Sequence, residues 1–188
     1  MKKFTTMILA LLLIMFLPIF SFAQETWEFA EGHSNIGFAI QWNEFSFRTG
    51  EFKKFSGKVE TTNAKDYKDA KVNLVINVGG LDVINEQLNK MLMGKEYLDS
   101  AACPEITFVC EKLKKGKKNT YLAEGDLTIK CKTIKTTFTV EDMGKKDKYA
   151  FIKVVGTVHK KDFGITGGGD RLGDIINITA YLEMKLKK

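Results

Sequence analysis

Few residues in this sequence have the types and spacing needed for acid–base or nucleophilic chemistry. The 188 residues include two histidines, His33 and His159, and His33 is followed directly by Ser34. A serine nucleophile needs a base and an orienting third group that meet in space, and the spacing indicates no third group. Neither histidine lies at metal-site spacing from Cys, Asp or Glu. We therefore predict structural or surface histidines, no metal site and no enzymatic activity.

Two loop sequences carry polar groups of another kind. Asp162 precedes Phe163, and an aspartate in this setting more often caps a turn than serves as a catalytic acid. The run Gly167–Arg171 can direct successive backbone N–H groups at a phosphate, with the Arg171 side chain alongside. Glycine runs are more often plain loops. If this run does bind a phosphate, Arg171 is the side chain placed to contact it.

Three cysteines, Cys103, Cys110 and Cys131, raise the question of a disulfide. A hairpin turn near Gly116 would pair the strands that hold Cys110 and Cys131, and would separate these two residues by roughly 20 Å. The same pairing sets Cys131 opposite Pro104, so only Cys103 could approach it. Because free cysteines commonly behave as small buried hydrophobes, we expect three thiols rather than a disulfide.

These side chains must be positioned by short segments in which apolar and polar residues alternate, the period of half-buried strands. The apolar faces lie within Thr26–Ala30, Ile36–Trp42, Phe52–Val59, Val72–Val78, Ile106–Cys110, Ala123–Ile129, Ile134–Val140, Ala150–Val158 and Ile176–Leu186. Eight or nine such strands with short turns predict an antiparallel barrel or sandwich. Lysines and glutamates at mid-strand on the opposite faces indicate a water-exposed exterior and an apolar interior.

Three details of strand pairing follow from the same pattern. A turn is expected near Arg48–Gly50. The adjacent lysines Lys53 and Lys54 break the alternation and predict a bulge. In the hairpin around Gly116, we expect Phe108 opposite Leu127.

One segment departs from the alternation. Its apolar residues recur at three- and four-residue spacing, which places them on one face of a helix of about three turns. They are Leu81, Ile84, Leu88, Met91 and Leu92. Asp82 can cap the start of this helix and Gly94 can end it. We predict a helical lid at about residues 82–100, with its apolar face on a barrel mouth.

The first 23 residues have the pattern of a secretory signal peptide. Lys2 and Lys3 precede an almost unbroken apolar run, and small residues follow at the expected distances from a cleavage site between Ala23 and Gln24. A membrane anchor is the alternative, but the run is shorter than the roughly 20 residues of a spanning helix and contains Pro18. We expect cleavage, a periplasmic or secreted protein, and no integral membrane span.

Residues 24–188 have the length of one domain. The formal net charge of the chain is +6, two units of which come from the predicted signal peptide. The remaining basic residues are interleaved with acidic ones, whereas nucleic-acid-binding proteins concentrate Lys and Arg on one surface. The densest cluster, Lys112–Lys118, is best interpreted as a solvated hairpin loop, with contact to an anionic membrane surface as the alternative. We expect no nucleic-acid partner.

Seven groups of residues then occur together in a familiar order. They are His33–Phe38, Gly50–Phe52, Phe55–Val59, the lid with Tyr97–Asp99 and Pro104–Phe108, Gly125–Ile129, Lys161–Ile165 and Leu172–Asp174. In combination they resemble the YceI family of exported lipid-binding proteins. The resemblance implies an extended, lipocalin-like, eight-stranded antiparallel barrel. It also implies a long apolar ligand, a polyisoprenoid or a fatty acyl or amide chain, held in an internal tunnel.

The apolar faces and the lid, taken with the resemblance, give a set of candidate ligand contacts. The tunnel and lid candidates are Phe38, Trp42, Phe52, Phe55, Leu88, Met91, Leu92, Tyr97, Leu98, Phe108, Phe138 and Phe163, with Arg171 for the headgroup. No cofactor other than the bound lipid is expected. Leu88–Asn89, Met91 and Lys130–Lys135 depart from residues frequent in the family, so the resemblance implies a tunnel but no particular headgroup.

A second hypothesis stays open at this point. Eight-stranded barrels either fill with side chains or hold one small ligand, and aromatic residues serve both purposes. The alternative is an exported barrel with a filled core, acting through its surface in envelope stress or in binding another protein. A homodimer of this chain is a further hypothesis.

Overall fold

The computed structural model describes residues 24–62 and 66–187. The predicted signal peptide and its cleavage site lie outside this range. The described strands are β1 Glu25–Phe29, β2 Asn35–Trp42, β3 Ser46–Phe52, β4 Phe55–Thr61, β5 Lys71–Asn77, β6 Leu81–Asp82, β7 Glu105–Cys110, β8 Leu113–Lys115, β9 Thr120–Ile129, β10 Lys132–Lys146, β11 Tyr149–His159 and β12 Leu172–Leu186. The described α-helix, α1, spans Glu86–Leu92.

The sheet closes into an eight-stranded antiparallel barrel, as predicted. Neighbouring strands follow the order β1, β4, β5, β7, β9, β10, β11, β12, and β12 pairs with β1 to complete the ring. Trp27 lies opposite Leu186 at this closing seam. Further along, β12 pairs with β2, and β3 and β6 extend the wall from there. Closure gives each strand of the ring a partner on both sides, whereas β3 pairs beyond β2 only at Glu51 and Phe52, with β6.

Strand interruptions account for two of the four segments outside the ring of eight, and the other two are the short strands β6, which pairs with β3, and β8, which pairs with β9. β1 and β2 follow one path that is broken by a 3-10 helix at Glu31–His33. β3 and β4 are likewise separated at Lys53 and Lys54, where the sequence predicts a bulge. The long β1–β2 and β3–β4 paths pair with each other on both sides of the interruptions.

The predicted inward faces are the buried ones. Phe108 lies opposite Leu127 in the pairing of β7 with β9, as the sequence predicts. The Phe108 and Phe138 rings meet edge to face, with centroids 5.2 Å apart. Buried and exposed residues alternate along β7 and β9, so period two alone identifies the interior side of these strands.

The turn predicted near Arg48–Gly50 is wrong, since these residues lie within β3. The chain instead reverses at Asn43, which has a left-handed φ of 57° and accepts a hydrogen bond from the Phe45 N–H at 3.0 Å. Gly50 serves packing: a Cβ at this position would lie 2.6 Å from the Phe38 ring.

The helix is shorter than predicted and begins later. Asn85, not Asp82, caps it by accepting hydrogen bonds from the N–H groups of Gln87 and Leu88. Residues 81 and 82 instead form β6 beside β3, and the Ile84 side chain is fully exposed. Because the helical period starts only at residue 86, residues 81 and 84 do not share its face.

The three cysteines are not three free thiols, and that prediction is wrong. Cys103 and Cys131 form a disulfide with Cα atoms 5.5 Å apart, while Cys110 is a buried free thiol. The predicted register is correct and brings Cys131 to the level of Pro104. Lys130 and Cys131 both adopt positive φ in the β9–β10 turn, which completes the approach to Cys103. Burial raises the pKa of the Cys110 thiol.

Thiol titration tests this pairing. Unfolding in denaturant without reductant should release one titratable thiol per chain, and prior reduction should release three. Reduction breaks the covalent link between Cys103 and Cys131, which are 28 residues apart in the sequence, and so removes a constraint on the unfolded chain. Removal of that constraint should lower the free energy of unfolding by about 3 to 4 kcal/mol in the chain-entropy model. Three thiols without reductant would contradict the disulfide.

Candidate ligand-binding cavity

The barrel interior contains an apolar cavity. Its volume is about 200 Å³, measured as the space open to the centre of a water molecule. A single water needs roughly 15 Å³ on that measure. The lining comes from the inward faces of the barrel strands and includes Ile36, Ile40, Val59, Val72, Leu74, Ile76, Ile106, Leu127, Ile129, Val140, Ile152, Val154 and Val158.

The cavity extends along the strands. On β12 alone, the lining continues from Ile176 to Met184, a distance of about 26 Å at the rise of a strand. One end is lined by Tyr67 and Leu113, and the other by Tyr97 and Lys160. This is the shape of a tunnel for an extended chain.

Seven of the predicted contacts line the cavity: Phe38, Phe52, Leu92, Tyr97, Leu98, Phe108 and Phe138. Phe55 and Phe163 are buried in the core but are not part of the lining. Leu88 is partly buried and packs against the core from α1. These three side chains pack in or against the core, but they do not line the cavity.

The remaining three predicted residues are more exposed. Trp42 is half-buried at the end of β2, with the Arg48 guanidinium 5.2 Å from its ring centroid. Met91 is 44% exposed, because the inner face of the short helix is formed by Leu88 and Leu92. The expectation that Met91 faces the mouth is therefore wrong. Arg171 is exposed on a 3-10 helix and does not line the cavity.

The segment that follows α1 covers one mouth. The Glu96 carbonyl accepts hydrogen bonds from the Thr166 and Gly167 N–H groups, at 2.9 and 3.0 Å. The Tyr97 ring lies directly against Gly167, and burial raises the pKa of its hydroxyl. The Cys103–Cys131 disulfide fastens the far end of the same segment to the β9–β10 turn. Residues 94–103 are thus held to the barrel at two points.

Sequence reasoning missed two polar residues in the lining. Lys160 is 4% exposed, and its position continues the inward series Ala150, Ile152, Val154, Gly156 and Val158 on β11. That alternation was the available signal, although lysine itself suggests exposure. Tyr67 lies in a loop where no periodicity could indicate it. Its buried hydroxyl has no hydrogen-bond partner among the described residues, and burial raises its pKa.

The histidines hold strands and loops together. His33 Nδ1 lies 3.1 Å from a Glu183 carboxylate oxygen, while the Ser34 hydroxyl bonds to the Glu183 backbone rather than to His33. His159 pairs with Asp174 at 2.8 Å, and this hydrogen bond lowers the pKa of Asp174. Within residues 24–62 and 66–187, no group of three or more His, Cys, Asp or Glu is arranged to hold a metal ion.

The fold and the cavity can be compared with known proteins. The family model described as the YceI-like domain matches residues 27–184. The chain belongs to the YceI-like family. Protein YceI of Salmonella newport is 32% identical over 139 residues, which cover 71% of this chain and 72% of the relative.

Solved structures agree with the barrel seen in this YceI-like chain. BcnA of Burkholderia cenocepacia superposes with a TM-score of 0.75 at 22% identity, covering 82% of this chain and 98% of BcnA. A polyisoprenoid binding domain from Saccharophagus degradans, implicated in plant cell wall breakdown, gives a TM-score of 0.64 at 12% identity. That comparison covers 86% of this chain and 98% of the domain. At sequence identities of 22% and 12%, these two comparisons show a shared fold.

Across the described ranges, every helix is too short or too polar to traverse a bilayer.

Packing of Tyr97 on Gly167 gives a test of the covering segment. A Cβ at residue 167 would lie 2.2 Å from the Tyr97 ring, so Gly167→Ala should displace residues 94–103. We expect a loss of about 1 to 3 kcal/mol in unfolding free energy, measured in urea, and faster amide exchange at Gly167. Gly32→Ala is the matched control, because nothing lies within 4 Å of a Cβ there. Equal behaviour of the two variants would mean that the segment is not held through Gly167.

Proposed function

We propose that this protein binds one long apolar molecule in the tunnel of its barrel and carries or sequesters it without chemical conversion. The observation that supports the proposal most directly is the cavity itself. It extends between the two ends of the barrel, and nearly all of its lining is hydrocarbon or aromatic. A filled-core barrel acting only through its surface would leave no such space.

The energetics favour binding by burial alone. A ligand that buries about 600 Å² of hydrocarbon gains roughly 15 kcal/mol before other contributions, at 25 cal/mol per Å². The loss of translational and conformational freedom reduces this figure heavily. A net affinity useful to a carrier therefore needs no strong polar contact along the middle of the tunnel.

The class of ligand is supported by the family. A structural relative is a polyisoprenoid binding domain, and a polyisoprenoid or fatty acyl chain has the length and apolar character that the tunnel accommodates. We propose one of these two classes for this chain.

A location outside the cytoplasm is part of the proposal. The sequence of residues 1–23 predicts a signal peptide. The Cys103–Cys131 disulfide supports the same location, since structural disulfides persist in oxidising compartments such as the periplasm. The homodimer stays a prediction.

Native mass spectrometry tests the carrier function. Protein purified gently from its native envelope should carry one discrete added mass that organic extraction removes. A mass equal to the bare polypeptide would contradict the proposal.

A pair of variants on β12 shows whether the added mass lies in the tunnel. Ala180 is buried and lines the cavity, whereas Thr179 is its exposed neighbour on the opposite face of the strand. Ala180→Phe should fill the space and abolish the added mass. Thr179→Phe, the control, should retain it, provided that circular dichroism shows both variants folded. Retention of the mass by folded Ala180→Phe would place the ligand elsewhere.

A further inference from the structure

Lys160 is a charged residue in an apolar tunnel. It lies in the 3-10 helix Lys160–Phe163, which follows β11 directly. Only 4% of its surface is exposed, and it lines the cavity with Ile165 and Leu172. All other described lining residues are apolar or glycine, apart from the tyrosines Tyr67 and Tyr97. Lys160 is therefore the single cationic group among the described residues of the lining.

The ammonium group of Lys160 is incompletely satisfied by the protein. It donates one hydrogen bond, to the Gly167 carbonyl at 3.1 Å, although an ammonium carries three donors. Among the described residues, no carboxylate forms an ion pair with it; Asp174, the acidic residue on the adjacent part of β12, is bound to His159 and to the Lys161 N–H. Buried charges are normally paired, because an isolated one is strongly unfavourable in an apolar interior.

The position of Lys160 suits the end of a bound chain rather than its middle. Gly167, its acceptor, is the residue on which Tyr97 of the covering segment packs. Lys130 donates to the Gly164 carbonyl at 2.7 Å in the loop that follows the 3-10 helix. This mouth thus contributes two ammonium groups and an apolar cover, with Lys160 directed inward. A long ligand would reach Lys160 only with its terminal group.

We infer that Lys160 binds the acidic headgroup of the tunnel ligand, a carboxylate or a phosphate, through a charge-assisted hydrogen bond. The inference rests on the proposed function and specifies the chemistry of the ligand's end. The headgroup supplies the negative charge that the protein does not, and the apolar chain extends from it along the strands. The two donors not used on Gly167 are available to its oxygens. Arg171, the candidate from sequence, lies outside the cavity.

Matched pairs of probes test the headgroup. Palmitate is compared with hexadecanol, and farnesyl phosphate with farnesol, by titration calorimetry on protein freed of lipid by organic extraction. The wild type should bind at least one acidic probe about tenfold to a hundredfold more tightly than its neutral partner, the effect of one hydrogen bond to a charged group. Tighter binding of palmitate than of hexadecanol identifies a carboxylate as the headgroup. Tighter binding of farnesyl phosphate than of farnesol identifies a phosphate.

Three variants assign the preference to Lys160. Lys160→Met keeps a side chain of similar length without charge and should bind both members of each pair equally. Lys160→Arg keeps the charge and should retain much of the preference. Lys161→Met removes the exposed neighbouring charge and should behave as the wild type. The melting temperature of unliganded Lys160→Met should equal or exceed that of the wild type, whereas a purely structural lysine would lower it.

The outcomes separate the two proposals. Equal binding of acidic and neutral probes by the wild type, or an undiminished preference in folded Lys160→Met, overturns the headgroup assignment and leaves the carrier function standing. Failure of all four probes to bind the wild type counts against the carrier function as well.

Discussion

Closure of the sheet between β1 and β12 is the constraint on which the other features of this molecule depend. β12 pairs with β11 along most of its length, while its other edge is shared by β2 and then β1. This sharing is possible because β12 is 15 residues long. Once the ring is closed, every strand has one face inside and one outside, and the alternating sequence makes the inside apolar. A ring of eight strands is just large enough to hold a small ligand.

A hollow interior lowers the stability of the empty barrel. At about 24 cal/mol per Å³, a cavity of about 200 Å³ costs about 5 kcal/mol. The disulfide and the packing of Tyr97 on Gly167 hold the wall and the covering segment together without filling the space. A ligand that binds only the folded state would stabilise it further by mass action. Stability and binding in this protein are thus two consequences of the same unfilled volume.

Lys160 shows how a single charged residue can give direction to a tunnel whose other described lining residues are uncharged. Apolar burial contributes to affinity wherever the chain lies and does not distinguish one orientation from the other. A charge at one mouth makes the two ends different, because an acidic group is favoured only there. The fold positions this charge at the start of the 3-10 helix that follows β11. Gly164, in the left-handed conformation, ends that helix.

The sequence by itself determined most of the strands, their inward faces and the Phe108–Leu127 register, because these follow from the two-residue period and from turn residues close in sequence. The period left a barrel and a sandwich open, and the resemblance to the YceI family selected the barrel. The family followed from seven groups of residues in order.

The tertiary structure decided what depends on contacts between distant residues. Leu81 and Asp82 pair with β3 instead of entering the helix, and Met91 turns outward when the helix starts at Glu86. Cys103 reaches Cys131 only when the β9–β10 turn adopts positive φ at two residues. Whether side chains fill the barrel depends on the diameter of the closed sheet, and no local pattern encodes it. The alternation along β11 directs Lys160 inward, but the burial of its charge depends on the segment that covers this mouth.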